Sequence, residues 1–213
     1  MTDKPVLVLA SGSPRRLALL EQIAIVPDHV FPAEIDETPV GHEAPRALAE
    51  RLARSKAEVA ALRFERQEKG VAALVLSADT VVAVGRRVLP KAETLEDAAL
   101  CLRLLSGRSH RVYTAVALRV PGGKVRERLV ETRVRMKRLS RAESEAYLAS
   151  GEWRGKAGGY AIQGLAAAFV TSVSGSYSAI VGLPLHETAA LLAGDGYPVT
   201  AGWSAEAEPR QAA

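Results

Sequence analysis

A mixed α/β fold is predicted by three observations: strand and helix signals alternate along the whole chain, apolar runs are short, and capping residues mark helix starts between them. Val6–Ala10 is the first expected strand, and Pro14 opens a helix reaching about Ile25. Val30–Ile35 reads as a second strand, followed by a long helix from about Ala44 to Leu62 and a charged surface loop, Arg63–Gly70. The apolar segment Val71–Val84 comes next, interrupted by Ser77-Ala78-Asp79-Thr80. Thr94 and Asp97 form a capping box for a helix ending at Ser106-Gly107, on which Ala98, Cys101, Leu102 and Leu105 share one face, so Cys101 belongs to the core. Val112–Val120 and Val125–Met136, joined by Pro121-Gly122-Gly123, read as a hairpin. Ser140 and Glu143 cap the next helix, which closes at Ser150-Gly151. After the glycine-rich stretch Gly155–Gly164 and the apolar run Leu165–Val173, Pro184 opens a last helix that stops at Gly194.

The 213 residues suit one large domain or two small lobes around a cleft. With 48% hydrophobic and 24% charged residues, a disordered or collagen-like chain is excluded. Aromatic residues make up only 5%, so the core rests on Ala, Val, Leu and Ile. No apolar run nears the roughly 18–20 residues of a membrane span, and Val6–Ala10 is too short for a signal-peptide core. A single cysteine rules out an intrachain disulfide and a cysteine zinc cluster, and a reducing cytoplasmic location is expected.

The net charge of +4 is uneven: from Arg103 to Arg141 there are twelve Lys or Arg against Glu127 and Glu131, leaving the remainder of the chain acidic. Such a block could meet phosphate in a nucleotide or a nucleic acid, or be a solvated strand face, as the alternation of Arg133, Arg135 and Lys137 with Val134 and Met136 favours.

Three segments break local rules. In Ser11–Arg16 (SGSPRR) a strand runs into a helix N-terminus at Ser13-Pro14, and Arg15 and Arg16 put positive charge where the helix dipole disfavours it. A bound phosphate would reverse that cost; solvent-facing arginines on an ordinary cap are the alternative. No Walker A loop is present. Asp79, inside VLSADTVVAV, is costly to bury unless paired, protonated or holding a metal. It could be a general base, a metal ligand, or a turn aspartate bonding its own backbone. Glu34, Asp36 and Glu37 form an acidic cluster in which alternation places Glu34 and Asp36 on one face, as ligands for Mg²⁺ or Mn²⁺ or as a solvated turn. Gln163, among glycines, could read a base edge or be a polar strand residue. The four histidines show no metal-ligand spacing, and GxSxG and HExxH are absent.

Together, LASGSPRR (Leu9–Arg16), IDETP (Ile35–Pro39), RLARSKA around Lys56, SADTVV (Ser77–Val82), LLSGRSHRVYTAV (Leu104–Val116), GKAGGYAIQG (Gly155–Gly164) and GSYSAIVGLPLHET (Gly175–Thr188) resemble the Maf family of nucleoside-triphosphate pyrophosphatases. They follow the family order over nearly the whole chain. The resemblance implies an inosine-triphosphatase-like fold, with a long mixed sheet flanked by helices and two lobes around a central cleft. One domain of this type is expected over residues 1–202, with no linker long enough to divide it, and the end of the chain, 203–213, reads as a flexible tail.

The implied reaction is hydrolysis of a nucleoside triphosphate, of the dTTP/UTP type, to the monophosphate and pyrophosphate with a divalent cation, Mg²⁺ or Mn²⁺. By the same resemblance Asp79 is the general base. Ser11, Arg15, Arg16, Lys56, Lys91 and Lys156 bind the substrate, Arg15, Thr80 and Gln163 select the base, and Glu34 joins Asp79 at the metal. Two departures stand out: Pro90-Lys91-Ala92 where the family reads GKP, and Gly155 where it often has an acid. The expected partner is a nucleoside triphosphate, with no membrane, and a homodimer is left open. Two other readings remain: a nucleic-acid-binding protein using the basic 103–141 segment, and a nucleotide-binding regulator of cell division.

Overall fold

The computed structural model describes residues 4–203. Its centre is a mixed seven-stranded sheet in the order β2-β1-β3-β6-β7-β9, with β4 paired to β3. The strands are β1 (Val6–Leu9), β2 (His29–Val30), β3 (Ala73–Val84), β4 (Arg87–Leu89), β6 (Ser109–Arg119), β7 (Val125–Met136) and β9 (Val170–Ser174). A separate two-residue ladder joins β5 (Lys91–Ala92) to β8 (Lys156–Ala157). The helices are α1 (Pro14–Gln22), α2 (Pro45–Gln67), α3 (Leu95–Leu105), α4 (Arg141–Ser150), α5 (Tyr177–Val181) and α6 (Leu185–Gly194), with a 3-10 turn over Leu165–Phe169. The mixed α/β class expected from the alternating signals is therefore the observed one.

One face of the sheet is covered by α2. Its buried stripe (Leu48, Ala49, Leu52, Ala53, Lys56, Ala57, Ala60, Ala61, Phe64) recurs every three or four residues, which keeps it on one side of a helix. The alanines bring the helix close enough for the Ser77 hydroxyl to donate to the Ala53 carbonyl at 2.6 Å. Phe64, 2% exposed, packs with Val8 and Val75, so α2 runs past the expected end at Leu62 into the stretch read as a loop.

The opposite face carries two cores. Leu7, Leu9, Leu74, Leu76 and Ala78 pack beneath α1 and α6, while Val82, Val112, Val134 and Met136 pack beneath α3 and α4. Along β3 the even-numbered side chains pass from one core to the other, and Thr80 sits at the junction.

Two further expectations are corrected. The apolar segment is not interrupted at Ser77–Thr80: β3 is continuous, because Ser77 bonds to α2 and Asp79 pairs with Lys56, while the backbone stays laddered to β6 from Val75 to Ala83. The strand expected over Val30–Ile35 is limited to His29–Val30, since Pro32 lacks the N–H a ladder needs.

Of the expected tail, Trp203 is described and donates its indole N–H to the Ile23 carbonyl at 2.9 Å; residues 204–213 lie outside the described residues. Both capping boxes form as expected, at Thr94/Asp97 and Ser140/Glu143. The basic 103–141 stretch is spread over α3, β6, β7 and the start of α4. Among the described residues five of its cations are ion-paired: Arg111, Arg119, Arg126, Lys137 and Arg141, with Glu131, Glu65, Asp195, Glu143 and Glu145. Among the described residues, no helix is long and apolar enough to cross a membrane.

Candidate active site

The sheet has a gap on one edge of β3. β1 pairs with β3 only as far as Leu76, and β4 only from Val82, so residues 77–81 are laddered on one edge alone, to β6. A cleft of about 450 Å³ opens there, within the roughly 300–1,000 Å³ of small-molecule sites. Because the edge is bare, neighbouring residues on opposite faces of the strand, Asp79 and Thr80, both reach it.

Opposite β3 stands the turn from β1 into α1. Ser11 is buried, and its hydroxyl accepts from the Ser13 N–H (3.2 Å) and from Arg16 Nη1 (3.1 Å). Arg16 Nε donates to the Gly182 carbonyl at 2.8 Å, tying this turn to the end of α5. Ser13 holds the cap position with extended backbone but makes no side-chain cap bond, and Pro14 follows. Burial lowers the pKa of both Arg15 and Arg16, yet a guanidinium stays cationic at neutral pH. Ser11, Ser13, Arg15 and Arg16 all line the cleft.

Between the two walls lies a chain of four charges. Lys56, reaching from the buried stripe of α2, is 2.5 Å from Asp79 Oδ1 and 2.6 Å from Glu37 Oε1. The other Glu37 oxygen is 2.6 Å from Lys91 Nζ. Burial raises the Glu37 pKa, but the two ammonium groups outweigh it and hold the carboxyl at about 2.

Lys91 sits at the rim on β5, whose ladder with β8 also brings in Lys156. The Pro90 and Ala92 carbonyls accept from Gly158 and Gly155, at 2.9 Å each, so the unusual Pro90-Lys91-Ala92 loop is pinned on both sides. Gly158 has φ +69°, and a Cβ there would lie 2.8 Å from Val82 Cγ1, so only glycine lets this loop lie against β3. Lys156 Nζ donates to the Arg154 carbonyl, and burial, then Arg15, lowers its pKa.

The cleft therefore gathers Ser11, Arg15, Arg16, Lys56, Asp79, Thr80, Lys91, Lys156 and Gln163 from segments far apart in sequence. Glu34 is not among its lining residues. The segment from Phe31 to Thr38 alternates as expected, with Glu34 and Asp36 on one face, but that face is the solvent side; Ala33, Ile35 and Glu37 turn inward. Glu37 is thus the acid the cleft receives. Arg154, stacked 4.7 Å from the Trp153 ring, is a cleft cation that no sequence signal marked. Six cationic side chains face three carboxylates, Glu37, Asp79 and Glu93, which leaves an excess suited to a polyanion.

The Maf-like protein family model matches residues 6–194. A dTTP/UTP pyrophosphatase of Mesorhizobium japonicum is 64% identical over 197 residues, covering 92% of this chain and 95% of that protein. One from Rhodopseudomonas palustris (strain HaA2) is 61% identical, covering 95% and 98%. Among solved structures, the Staphylococcus aureus Ham1 protein aligns at 16% identity and a TM-score of 0.43, covering 61% of this chain and 71% of that one. Since the family match runs through every segment that lines the cleft, from Ser11 on the β1–α1 turn to Gly182 after α5, the chain belongs to the family of Maf-like proteins.

Proposed function

We propose that the chain hydrolyses nucleoside triphosphates, dTTP and UTP foremost, to the nucleoside monophosphate and pyrophosphate. The observation that carries this reading is Lys56 shared between Asp79 and Glu37 at the bare edge of β3, facing Ser11, Arg15 and Arg16 across the cleft. The relatives named dTTP/UTP pyrophosphatase supply the nucleotide class. Free nucleotides as substrate put the site of action in the cytoplasm.

The triphosphate is bound by Arg15 and Arg16 with the α1 N-terminus, and by Lys91 and Lys156 at the rim, all suited to phosphate oxygens. Asp79 takes a proton from water, whose oxygen attacks the α-phosphorus in line. The bond from that phosphorus to the α–β bridging oxygen breaks, and pyrophosphate leaves. Lys56 fixes the orientation of the Asp79 carboxylate, and Glu37 fixes Lys56. Gln163 presents an amide that both donates and accepts, as the N3–H and O4 edge of thymine or uracil requires. Thr80 borders the same space, its hydroxyl 3.1 Å from that of Thr114.

A divalent cation, Mg²⁺ or Mn²⁺, fits this site. Asp79 and Glu37 flank one ammonium and offer hard oxygen donors, and nucleotide-bound Mg²⁺ is held by one or two carboxylates plus phosphate oxygens. Among the described residues no three His, Cys, Asp or Glu side chains form a metal cage, so Asp79 and Glu37 would hold the ion together with the substrate. When bound, it neutralises charge on the phosphate oxygens.

The test is an assay of each NTP and dNTP with Mg²⁺ or Mn²⁺ that separates pyrophosphate from orthophosphate. Monophosphate plus pyrophosphate, fastest from dTTP and UTP, is expected. Asp79→Asn should lower kcat by about 10²–10⁴, the range of a lost general base, while keeping the wild-type far-UV spectrum. Near-normal turnover in that variant would overturn the assignment of Asp79.

A further inference from the structure

A buried polar pair that the proposed reaction does not use runs from the cleft wall into the core. His110, on β6, is 2% exposed, and its Nε2 is 2.8 Å from the Tyr160 hydroxyl. The two rings meet edge-on, with centroids 5.4 Å apart at 84°. Among the described residues the second ring nitrogen, Nδ1, is buried without a partner, and the Tyr160 hydroxyl is the imidazole's one hydrogen-bond partner. Burial holds the His110 pKa at about 4 and pushes the Tyr160 phenol up, so both groups are neutral near pH 7.

The next residue along, Ala161, donates its N–H to the hydroxyl of Tyr147 at 3.1 Å. Tyr147 is 2% exposed and belongs to α4. Two side chains from two separate elements thus grip consecutive residues of one loop. Tyr160 to Gln163 all line the cleft, whereas His110 and Tyr147 do not. On the near side, Gly158 and Gly159 seat the loop against Val82 and Cys101. Arg16, on the opposite wall, is held by different partners, Ser11 and Gly182.

Resting on the reading of the cleft as a triphosphate site, we propose that His110 and Tyr147 are positioning residues: through Tyr160 and Ala161 they fix the loop that carries Gln163, and so set discrimination between pyrimidine bases without setting phosphate affinity. The chemistry asks for such rigidity. Uracil and cytosine differ by an exchange of donor and acceptor on one edge, and an amide tells them apart only if its own position is held to within about 0.5 Å. A loose loop lets the amide turn over and accept either base.

The experiment compares wild type with Tyr160→Phe and Tyr147→Phe, each of which deletes one hydroxyl. It measures kcat/KM for UTP and CTP, competitive inhibition by inorganic tripolyphosphate, and amide hydrogen exchange over residues 158–164. Expected in both variants are a fall of about tenfold in the UTP/CTP preference, tripolyphosphate inhibition within about twofold of wild type, and faster exchange in the loop. Unchanged preference and exchange would overturn the proposal. So would an equal loss of tripolyphosphate binding, which marks general disorder of the site. A wild-type protein that hydrolyses no triphosphate would instead remove the catalytic reading; loop exchange, with calorimetric binding of UTP and CTP, would still decide the role of His110 and Tyr147.

Discussion

Replacing Lys56 with methionine keeps the length of the side chain and removes its ammonium, which now lies between two carboxylates. Lys56 is 8% exposed and Asp79 4%, so Asp79 would be left in a buried position without its hydrogen-bonded countercharge. Removing one partner of a buried pair costs about 3–5 kcal/mol. Glu37 adds little to that figure, because its side chain is 36% exposed and water can replace the lost contact. For a domain of this size 1 kcal/mol moves Tm by roughly 2–4 °C, so Lys56→Met should melt about 6–20 °C below wild type. The assay is thermal unfolding at pH 7 without added metal, followed by the double variant Lys56→Met/Asp79→Asn. With the charge gone, the double variant should recover at least half of the loss, the mark of direct coupling. A Tm for Lys56→Met within about 2 °C of wild type, or a double variant no more stable than the single one, would refute the reasoning. Mg²⁺ adds a second readout, since the two freed carboxylates should bind it and raise the Tm of Lys56→Met more than that of wild type.

Two further predictions concern pH. Glu37 has a folded pKa of about 2 against an ordinary 4.5, so its contribution is complete above pH 4.5 and is lost as pH falls towards 2. Discounted for exposure it is worth about 1 kcal/mol, and Glu37→Gln should show a shallower decline in Tm over that window; a decline parallel to wild type would count against the ion-pair chain. His110 is held at about 4 against an ordinary 6.5, so the unfolded chain takes up the proton first and stability falls between pH 6.5 and 4. The loss attributable to it is at most about 3 kcal/mol. His110→Phe, measured by urea unfolding at pH 7 and 4.5, should lose less stability over that interval than wild type, and an equal loss would rule the burial argument out.

The sequence was most legible where the physics is local. Both capping boxes rest on residues three apart, and both helices start where their caps place them. The continuity of β3 was hidden because its polar residues are satisfied from far away: Asp79 by a lysine 23 positions earlier, Ser77 by a carbonyl 24 positions earlier. Read alone, the same four residues look like a turn. Lys56 did carry a signal, as the one cation in the buried stripe of α2, but the stripe is visible only once its period is followed from Leu48 to Phe64. In the acidic segment alternation identified the two faces correctly, yet it could not say which was inward. The apolar residues at Ala33 and Ile35 would have pointed to Glu37. The gap in the sheet explains why these scattered residues converge. Pro14 starts a helix five residues after the end of β1, so β1 ends at Leu9 and the edge of β3 is bare from Ser77 to Val81. That early stop creates a helix N-terminus with two arginines on one wall and exposes Asp79 on the other. A longer β1 would cover the Asp79 edge and move the arginines away from it, so the arginine-bearing turn and the carboxylate opposite it have a single structural cause.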